Sequence, residues 1–374
     1  MVKLLIGGSP CTYWSIAQTN NRETVAEGMG WELFLNYRIA RDKYKPDYFL
    51  YENNKSMSPA IREQITHELG VEPVLINSAL VSAQNRQRLY WVGKRNPDGK
   101  YSKVDIEQPK DKGILLRDIL EINTGDTKTY PSCIAQRGRY TNRGGTTEQH
   151  YEARLDQKTN TLTTVQKDNL VAEPIRICNI NGGGMGNRIY SVNGKSCAIK
   201  ASGGGLGGNC QGLYAVPVNE TIDEKLQRLR IHEVRDGRIT IKDKDYPIKL
   251  ADGLYIIRKL TVTECKRLQT VPDTYTFPVS NTQAYKMLGN GWTVDVIAHI
   301  MSHFDLGKEP VAVLSMYDGM SCGRIALEKL GVEVGRYYAT EIDKYAIKTT
   351  MHNYPDTIQL GDAFAVRHEN WPSV

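Results

Sequence analysis

Two short runs at opposite ends of the chain hold residues suited to chemistry. Leu4-Leu5-Ile6-Gly7-Gly8-Ser9-Pro10-Cys11 is an apolar run that empties into a tight loop bearing a thiol. A thiolate is a strong nucleophile, and the loop at the carboxyl end of a parallel strand is where α/β enzymes place reactive groups. Glu52 closes a second apolar run, Tyr48 to Tyr51. If the two runs are neighbouring strands, this carboxylate projects from the same sheet edge as Cys11 and is a candidate general acid. Gln84-Asn85-Arg86-Gln87-Arg88 leads into a third run, Leu89 to Val92. Arginines one residue apart on a strand point the same way, here toward a carboxylate or an anionic ligand. Taken singly, each also has a plainer reading: Cys11 as a buried thiol, Glu52 as a solvated strand end, Arg86 and Arg88 as a basic edge.

The second constellation lies near the C-terminus. Tyr317-Asp318-Gly319-Met320-Ser321-Cys322-Gly323 joins a strand to a helix over 324–330. Such glycine-containing strand-to-helix loops receive nucleotide-like cofactors, although the full G-x-G-x-x-G spacing is absent. Glu341 stands 22 residues beyond Gly319, at the end of the next strand over 336–340, where an acidic residue commonly holds ribose hydroxyls. Gly361-Asp362, after the following strand, offers a third contact. If both constellations serve one site, the chain has been cut and rejoined between its halves.

Positioning these residues requires a sheet. Strands at Leu4 to Ile6, Tyr48 to Tyr51, Val74 to Ile76 and Leu89 to Val92 alternate with helical stretches, Trp31 to Lys43 and Pro59 to Leu69, which predicts a mostly parallel, doubly wound α/β sheet. After the turn Asn96-Pro97-Asp98-Gly99, residues of about 121–257 are rich in Gly, Thr and Asn with short β-like runs. Within them Lys158 to Thr164 with Asn169 to Ala172 is repeated by Lys195 to Ala201 with Gly212 to Ala215, which suggests a small β-rich domain built from two related hairpins. Helical spacing returns at Thr263 to Gln269 and Val294 to His303, Asp305 to Pro310 reads as a linker, and Val311 onward resumes the strand, loop, helix rhythm. The domains expected are a catalytic first part at 1–118, an inserted β-rich domain at 119–257 and a catalytic second part at 258–374.

Composition narrows the classes. The 374 residues carry 48 Lys and Arg against 42 Asp and Glu, a net charge of +6, which permits a polyanionic partner without requiring one. Seven cysteines without a C-x-x-C pair indicate neither a disulfide framework nor a zinc site. No apolar run reaches membrane-spanning length and no signal peptide is visible, so the expectation is a soluble cytoplasmic protein.

Jointly, these pieces resemble the DNA cytosine-5 methyltransferases. Gly8-Ser9-Pro10-Cys11 is similar to that family's catalytic Pro-Cys motif, Glu52-Asn53-Asn54 to its Glu-Asn-Val motif, and Gln84 to Arg88 to its Gln-x-Arg-x-Arg motif. Arg258 to Asp273 resembles its ninth motif, Gly289-Asn290 its tenth, and Tyr317 to Gly323, Glu341 and Asp362 its first three. The family runs from cofactor motifs to catalytic motifs; here the cofactor motifs come last, as in a circular permutation with its joint at Asp305 to Pro310. Asn54 in place of Val, Ser321-Cys322 in place of a small pair, and Gly291-Trp292 after Asn290 also depart from the pattern.

The resemblance implies a Rossmann-like, S-adenosylmethionine-dependent fold with a smaller target-recognition domain, acting as a monomer on double-stranded DNA in a prokaryotic or phage setting. It implies that Cys11 adds to C6 of a flipped cytosine, that Glu52 contacts N3 and the exocyclic amine, and that Arg88, with Arg86, holds O2. Tyr317 would pack on adenine, Glu341 bind the ribose, Asp362 the adenine amine, and Asn290 the methionine portion. Asp318, Gly319, Gly323, Ile342, Ala363 and Pro10 fall in the same motifs as further cofactor contacts. Trp14-Ser15 through Gly28-Met29-Gly30 would form a mobile catalytic loop. In the insert, Arg137, Arg139, Arg143, Lys158, Lys167 and Arg188 are candidate DNA contacts. A catalytically silent DNA-binding homologue and an RNA cytosine-5 methyltransferase are the competing readings.

Overall fold

The computed structural model describes residues 1–15, 22–115, 118, 119, 121, 261–369 and 371, together with 133–140, 147–154, 176–179, 188–191, 213–217, 231–241, 244–247 and 252–258. The chain divides into two compact units: Met1–Ser78, Gln87–Lys110 and Gln269–Val374 in one, Ala79–Arg86 and Asp111–Leu268 in the other.

The first unit begins with β1 (Lys3–Gly7), α1 (Gly28–Tyr44), β2 (Tyr48–Asn54), α2 (Pro59–Leu69), β3 (Val74–Asn77), β4 (Gln87–Arg95) and β5 (Tyr101–Lys103). The second holds β6 (Cys133–Tyr140), β7 (Thr147–Arg154), β8 (Arg176–Asn179), β9 (Arg188–Ser191), β10 (Leu213–Pro217), β11 (Ile231–Arg235), β12 (Arg238–Ile241), β13 (Lys244–Pro247), β14 (Gly253–Arg258) and α3 (Val262–Leu268). The first unit resumes with α4 (Asn281–Asn290), α5 (Val294–Met301), β15 (Val311–Met316), α6 (Cys322–Lys329), β16 (Val334–Thr340), α7 (Lys344–Asn353) and β17 (Ile358–Gly361).

Local chemistry accounts for the helix limits. Ser58 accepts the Ile61 N–H at 3.3 Å, Pro59 occupies the first turn, and Gly70 closes α2 in the left-handed region, so Ile61, Ile65 and Leu69 fall on one buried face. In α1, Phe34, Tyr37, Ala40 and Tyr44 are buried, and Lys45 ends the helix at φ 50° before Pro46.

The sheet of the first unit has the order β17-β16-β15-β1-β2-β4-β3, with β5 beside β4. The five strands from β17 to β2 are mutually parallel. All residues of β2 and β15 are buried, as strands covered on both faces must be. Leu5 packs with Phe34 and Tyr37 of α1, while a Cβ at Gly323 of α6 would run into Ile6, whose side chain leaves the opposite face. Helices therefore cover both faces, and the sheet is doubly wound and mostly parallel. In this sheet β4 reverses direction: it runs antiparallel to β2, and β3 and β5, each antiparallel to β4, point the same way as the five parallel strands.

The second unit is β-rich. Its seven-stranded sheet has the order β13-β12-β11-β14-β10-β9-β8, antiparallel except between β9 and β10, and β6 and β7 form a separate antiparallel pair. The first copy of the repeat, Lys158 to Ala172, lies outside the described residues. Of the second copy, Leu213 to Ala215 lie in β10, between β14 and β9, and the rest is outside them. Among the described residues no helix is long and apolar enough to cross a membrane.

Candidate active site

One row of paired residues crosses the sheet. Tyr51 of β2 pairs with Gly7 of β1, Gly7 with Met316 of β15, Met316 with Thr340 of β16, and Thr340 with Gly361 of β17. The residues immediately beyond this row are Glu52, Gly8 at the head of the Cys11 loop, Tyr317, Glu341 and Asp362. Four gaps of about 4.8 Å between neighbouring strands place them along roughly 19 Å of one sheet edge. Candidate residues from both ends of the chain thus share the carboxyl edge of five adjacent parallel strands, where α/β proteins bind their ligands.

On the β1–β2 side, Glu52 is 9% exposed and lies within β2, two residues before its end, which corrects its expected place at the strand terminus. Arg88 Nε of β4 ion-pairs with Glu52 Oε1 at 3.0 Å, and Trp292 Nε1 donates to Oε2 at 2.9 Å. Gly8 is required beside them: a Cβ there would lie 2.8 Å from the Glu52 carbonyl and 2.9 Å from Oε2. Ser9 and the Tyr51 hydroxyl are 2.6 Å apart, and Asn53 Nδ2 donates to the Ser9 carbonyl at 3.2 Å, which pins the loop preceding Pro10. Burial pushes the Tyr51 phenol well above its ordinary range, so it stays a neutral partner. Pro10 is exposed, and Cys11 opens the turn Cys11–Tyr13. Asn54 is buried, its N–H bonding Asn53 Oδ1 at 2.8 Å and its Oδ1 accepting Ser56 Oγ at 2.7 Å.

One sequence expectation changes here. Arg86 precedes the first residue of β4 and belongs to the second unit, so it does not share a strand face with Arg88. Trp14 is fully buried in the core, donating to Glu23 Oε2 at 3.0 Å, while Glu23 Oε1 accepts the Gly30 N–H at 3.1 Å. Residues 16–21, within the segment expected as a catalytic loop, lie outside the described residues.

On the β15–β17 side, the chain leaves β15 through left-handed conformations at Tyr317, Gly319 and Ser321, with φ of 61°, 60° and 60°. Asp318 accepts from Tyr337 at 2.8 Å and from Ser321 at 2.5 Å, and burial raises its carboxyl to about 6. Glu341 Oε2 accepts the Gly319 N–H, and Oε1 accepts those of Ile342 and Asp343, each at 2.8 Å. A carboxylate offers about four acceptor sites, so one remains on Oε2 for a hydroxyl donor. Ile342 beside it is 75% exposed, Asp362 is exposed with Oδ1 capping the Phe364 N–H, and Ala363 is buried. Acceptors for a hydroxyl and an amine flanking an exposed apolar side chain fit a nucleoside, and among the described residues nothing lies within 4 Å of where a Cβ on Gly319 would stand. Tyr317 donates through its hydroxyl to the Leu33 carbonyl at 2.7 Å, and Asn290 is exposed at the end of α4.

The family model described as C-5 cytosine-specific DNA methylase matches residues 1–305. The chain belongs to this family. Its relatives include the orphan methyltransferase M.SPRI of Bacillus phage SPR, 26% identical over 82% of this chain and 84% of the relative. They also include the type II methyltransferases M.HpaII of Haemophilus parainfluenzae, 28% identical over 79% and 69%, and M.HhaI of Haemophilus parahaemolyticus, 22% identical over 79% and 74%. Trp292, the donor to Glu52, stands at a position that departs from the family motif; in sequence only that departure marked it.

Proposed function

We propose that this methylase family member transfers a methyl group from S-adenosylmethionine to C5 of a cytosine in double-stranded DNA. The observation that carries the reading is the single row that sets Glu52, the Cys11 loop, Tyr317, Glu341 and Asp362 on one sheet edge. Glu341, Ile342, Asp362, Ala363 and the Tyr317-Asp318-Gly319 loop, with Gly323, Pro10 and Asn290, would hold S-adenosylmethionine. When bound, it supplies an electrophilic methyl carbon.

The chain's own residues would prepare the base to receive it. C5 of cytosine is a weak nucleophile, and addition of the Cys11 thiolate to C6 turns it into an enamine-like carbon. Glu52 offsets the negative charge developing on the ring by giving a proton to N3 and accepting from the exocyclic amine, while Arg88 fixes Glu52 and faces O2. After methyl transfer the N3 proton returns to Glu52, and loss of the C5 proton to water with return of the C6–S electrons to sulfur releases the methylated base and the free thiolate. Because C5 is stacked inside a duplex, the cytosine must be flipped out, and we assign 119–257 to recognition of the surrounding DNA.

The order of segments supports a circular permutation. The family match ends at residue 305, where the linker Asp305 to Pro310 begins, and the unmatched remainder supplies β15 to β17, of which β15 pairs directly with β1. Trp371 packs against the same core as Leu5 of β1, so a short joint would reconnect the halves in the usual order.

Incubation with duplex DNA and methyl-labelled S-adenosylmethionine tests the activity. Label recovered as 5-methylcytosine is expected; label only at N4 of cytosine, only in RNA, or in neither nucleic acid would overturn it.

A further inference from the structure

We infer that Trp292 is a positioning residue for Glu52, an inference that rests on the methyltransferase reading of the site. Its indole N–H meets Glu52 Oε2 at 2.9 Å, while Arg88 Nε meets Oε1 at 3.0 Å. The carboxylate is therefore gripped at both oxygens, by a cation on one side and a neutral donor on the other. An indole N–H donates only, so it keeps Oε2 oriented without exchanging a proton with it.

The backbone that delivers Trp292 is itself fixed. A Cβ on Gly291 would stand 3.1 Å from Cys322 Sγ and 3.1 Å from the Met287 carbonyl, so this glycine is wedged against the start of α6. Gln269 Nε2 donates to the Gly291 carbonyl at 3.1 Å and to that of Leu288 at 2.6 Å. Gln269 Oε1 accepts the Thr293 hydroxyl at 2.8 Å, and Thr293 Oγ1 in turn accepts from Ser78 at 2.8 Å. Gly8 completes the arrangement, since its bare Cα leaves room where a Cβ would lie 3.5 Å from the indole nitrogen. Trp292 is only partly buried, so packing alone does not account for an indole at this point. The indole thus links the segment wedged against the cofactor loop to the carboxylate that contacts the base.

Among the described residues, the charged and titratable groups about Glu52 include Arg88 on β4, Tyr90 directly across on the same strand, and Tyr51 beside it on β2. Removing the indole leaves these in place but takes the neutral donor from Oε2. Two readouts test the role. In Trp292→Phe, kcat should fall about ten-fold, and KM for DNA should change less than kcat. In the unmodified protein, the 15N-labelled Trp292 indole resonance reports the bond to a carboxylate and should shift in Glu52→Gln, whose amide is a weaker acceptor. An unchanged kcat in Trp292→Phe, or an indole resonance indifferent to Glu52→Gln, overturns the inference. The resonance needs neither DNA nor methyl transfer. A protein that transfers no methyl group but whose indole resonance responds to Glu52→Gln would refute the proposed activity and uphold the positioning contact.

Discussion

At the scale of the residue, Glu52 is decided by its neighbours. The Glu52 and Arg88 side chains are 12% and 18% exposed at their ion pair, and removing one member of such a pair strands the other charge in a poorly solvated place. Arg88→Met should therefore lower the unfolding free energy by about 2–3 kcal/mol and kcat by about 100-fold, measured by urea unfolding and single-turnover methyl transfer. Asp318 behaves differently, because burial holds its carboxyl at about 6 against 3.8 when unfolded. The folded state then binds the proton more tightly, so this group's favourable contribution is complete below pH 3.8 and is lost as pH rises through 6. Asp318→Asn should remove that loss, and the gain in stability over the parent should be larger at pH 7.5 than at pH 4.5 in urea melts. The glutamate, the arginine and the acidic pair Glu341 and Asp362 were legible in the sequence because each follows or opens an apolar run. Trp292 was legible only as a departure from a motif, since nothing local signals a bond to a carboxylate 240 positions away.

At the scale of the element, close approach explains the glycines. Gly8 lets the loop after β1 pass the end of β2, and Gly8→Ala would place a methyl group 2.9 Å from Glu52 Oε2. Because the loop must shift by a few tenths of an ångström, the expected result is a folded protein with kcat reduced about 100-fold, checked by circular dichroism beside the methyl-transfer rate. Apolar runs located β1, β2, β3 and β4, and the helix expected at about Pro59 to Leu69 is α2. Strand direction was not legible: the run Leu89 to Val92 reads the same in either orientation, and only pairing with β2 shows that β4 is antiparallel. That direction brings Arg88 opposite Asn54, close to Glu52, and leaves Arg86 before the strand begins. Trp14 lies in a turn, as its place after Cys11 suggests, but its burial and its bond to Glu23 were not legible because one tryptophan carries no periodicity.

At the scale of the whole molecule, segment order and spatial order part company. Strands β15 to β17 come last in the chain but join the sheet beside β1, with β15 paired directly to it, so the sheet is continuous across the two ends of the sequence. Parallel pairing depends on register and not on which segment is made first, which is why both constellations could be recognised in sequence without their order being familiar. A rearranged chain opened within Asp305 to Pro310, with the present ends joined by a short flexible linker, should fold and transfer methyl groups at a rate within about ten-fold of the parent. Failure of this chain to bind S-adenosylmethionine while the parent does would speak against the permutation. The proposed chemistry itself rests on a bond between Cys11 and C6 of cytosine. Duplex DNA carrying 5-fluorocytosine holds that bond after methyl transfer, because fluorine does not leave as a proton does. Denaturing electrophoresis should show a protein–DNA complex that requires S-adenosylmethionine and is absent from Cys11→Ser; no complex on any DNA, or one that survives Cys11→Ser, would contradict the mechanism.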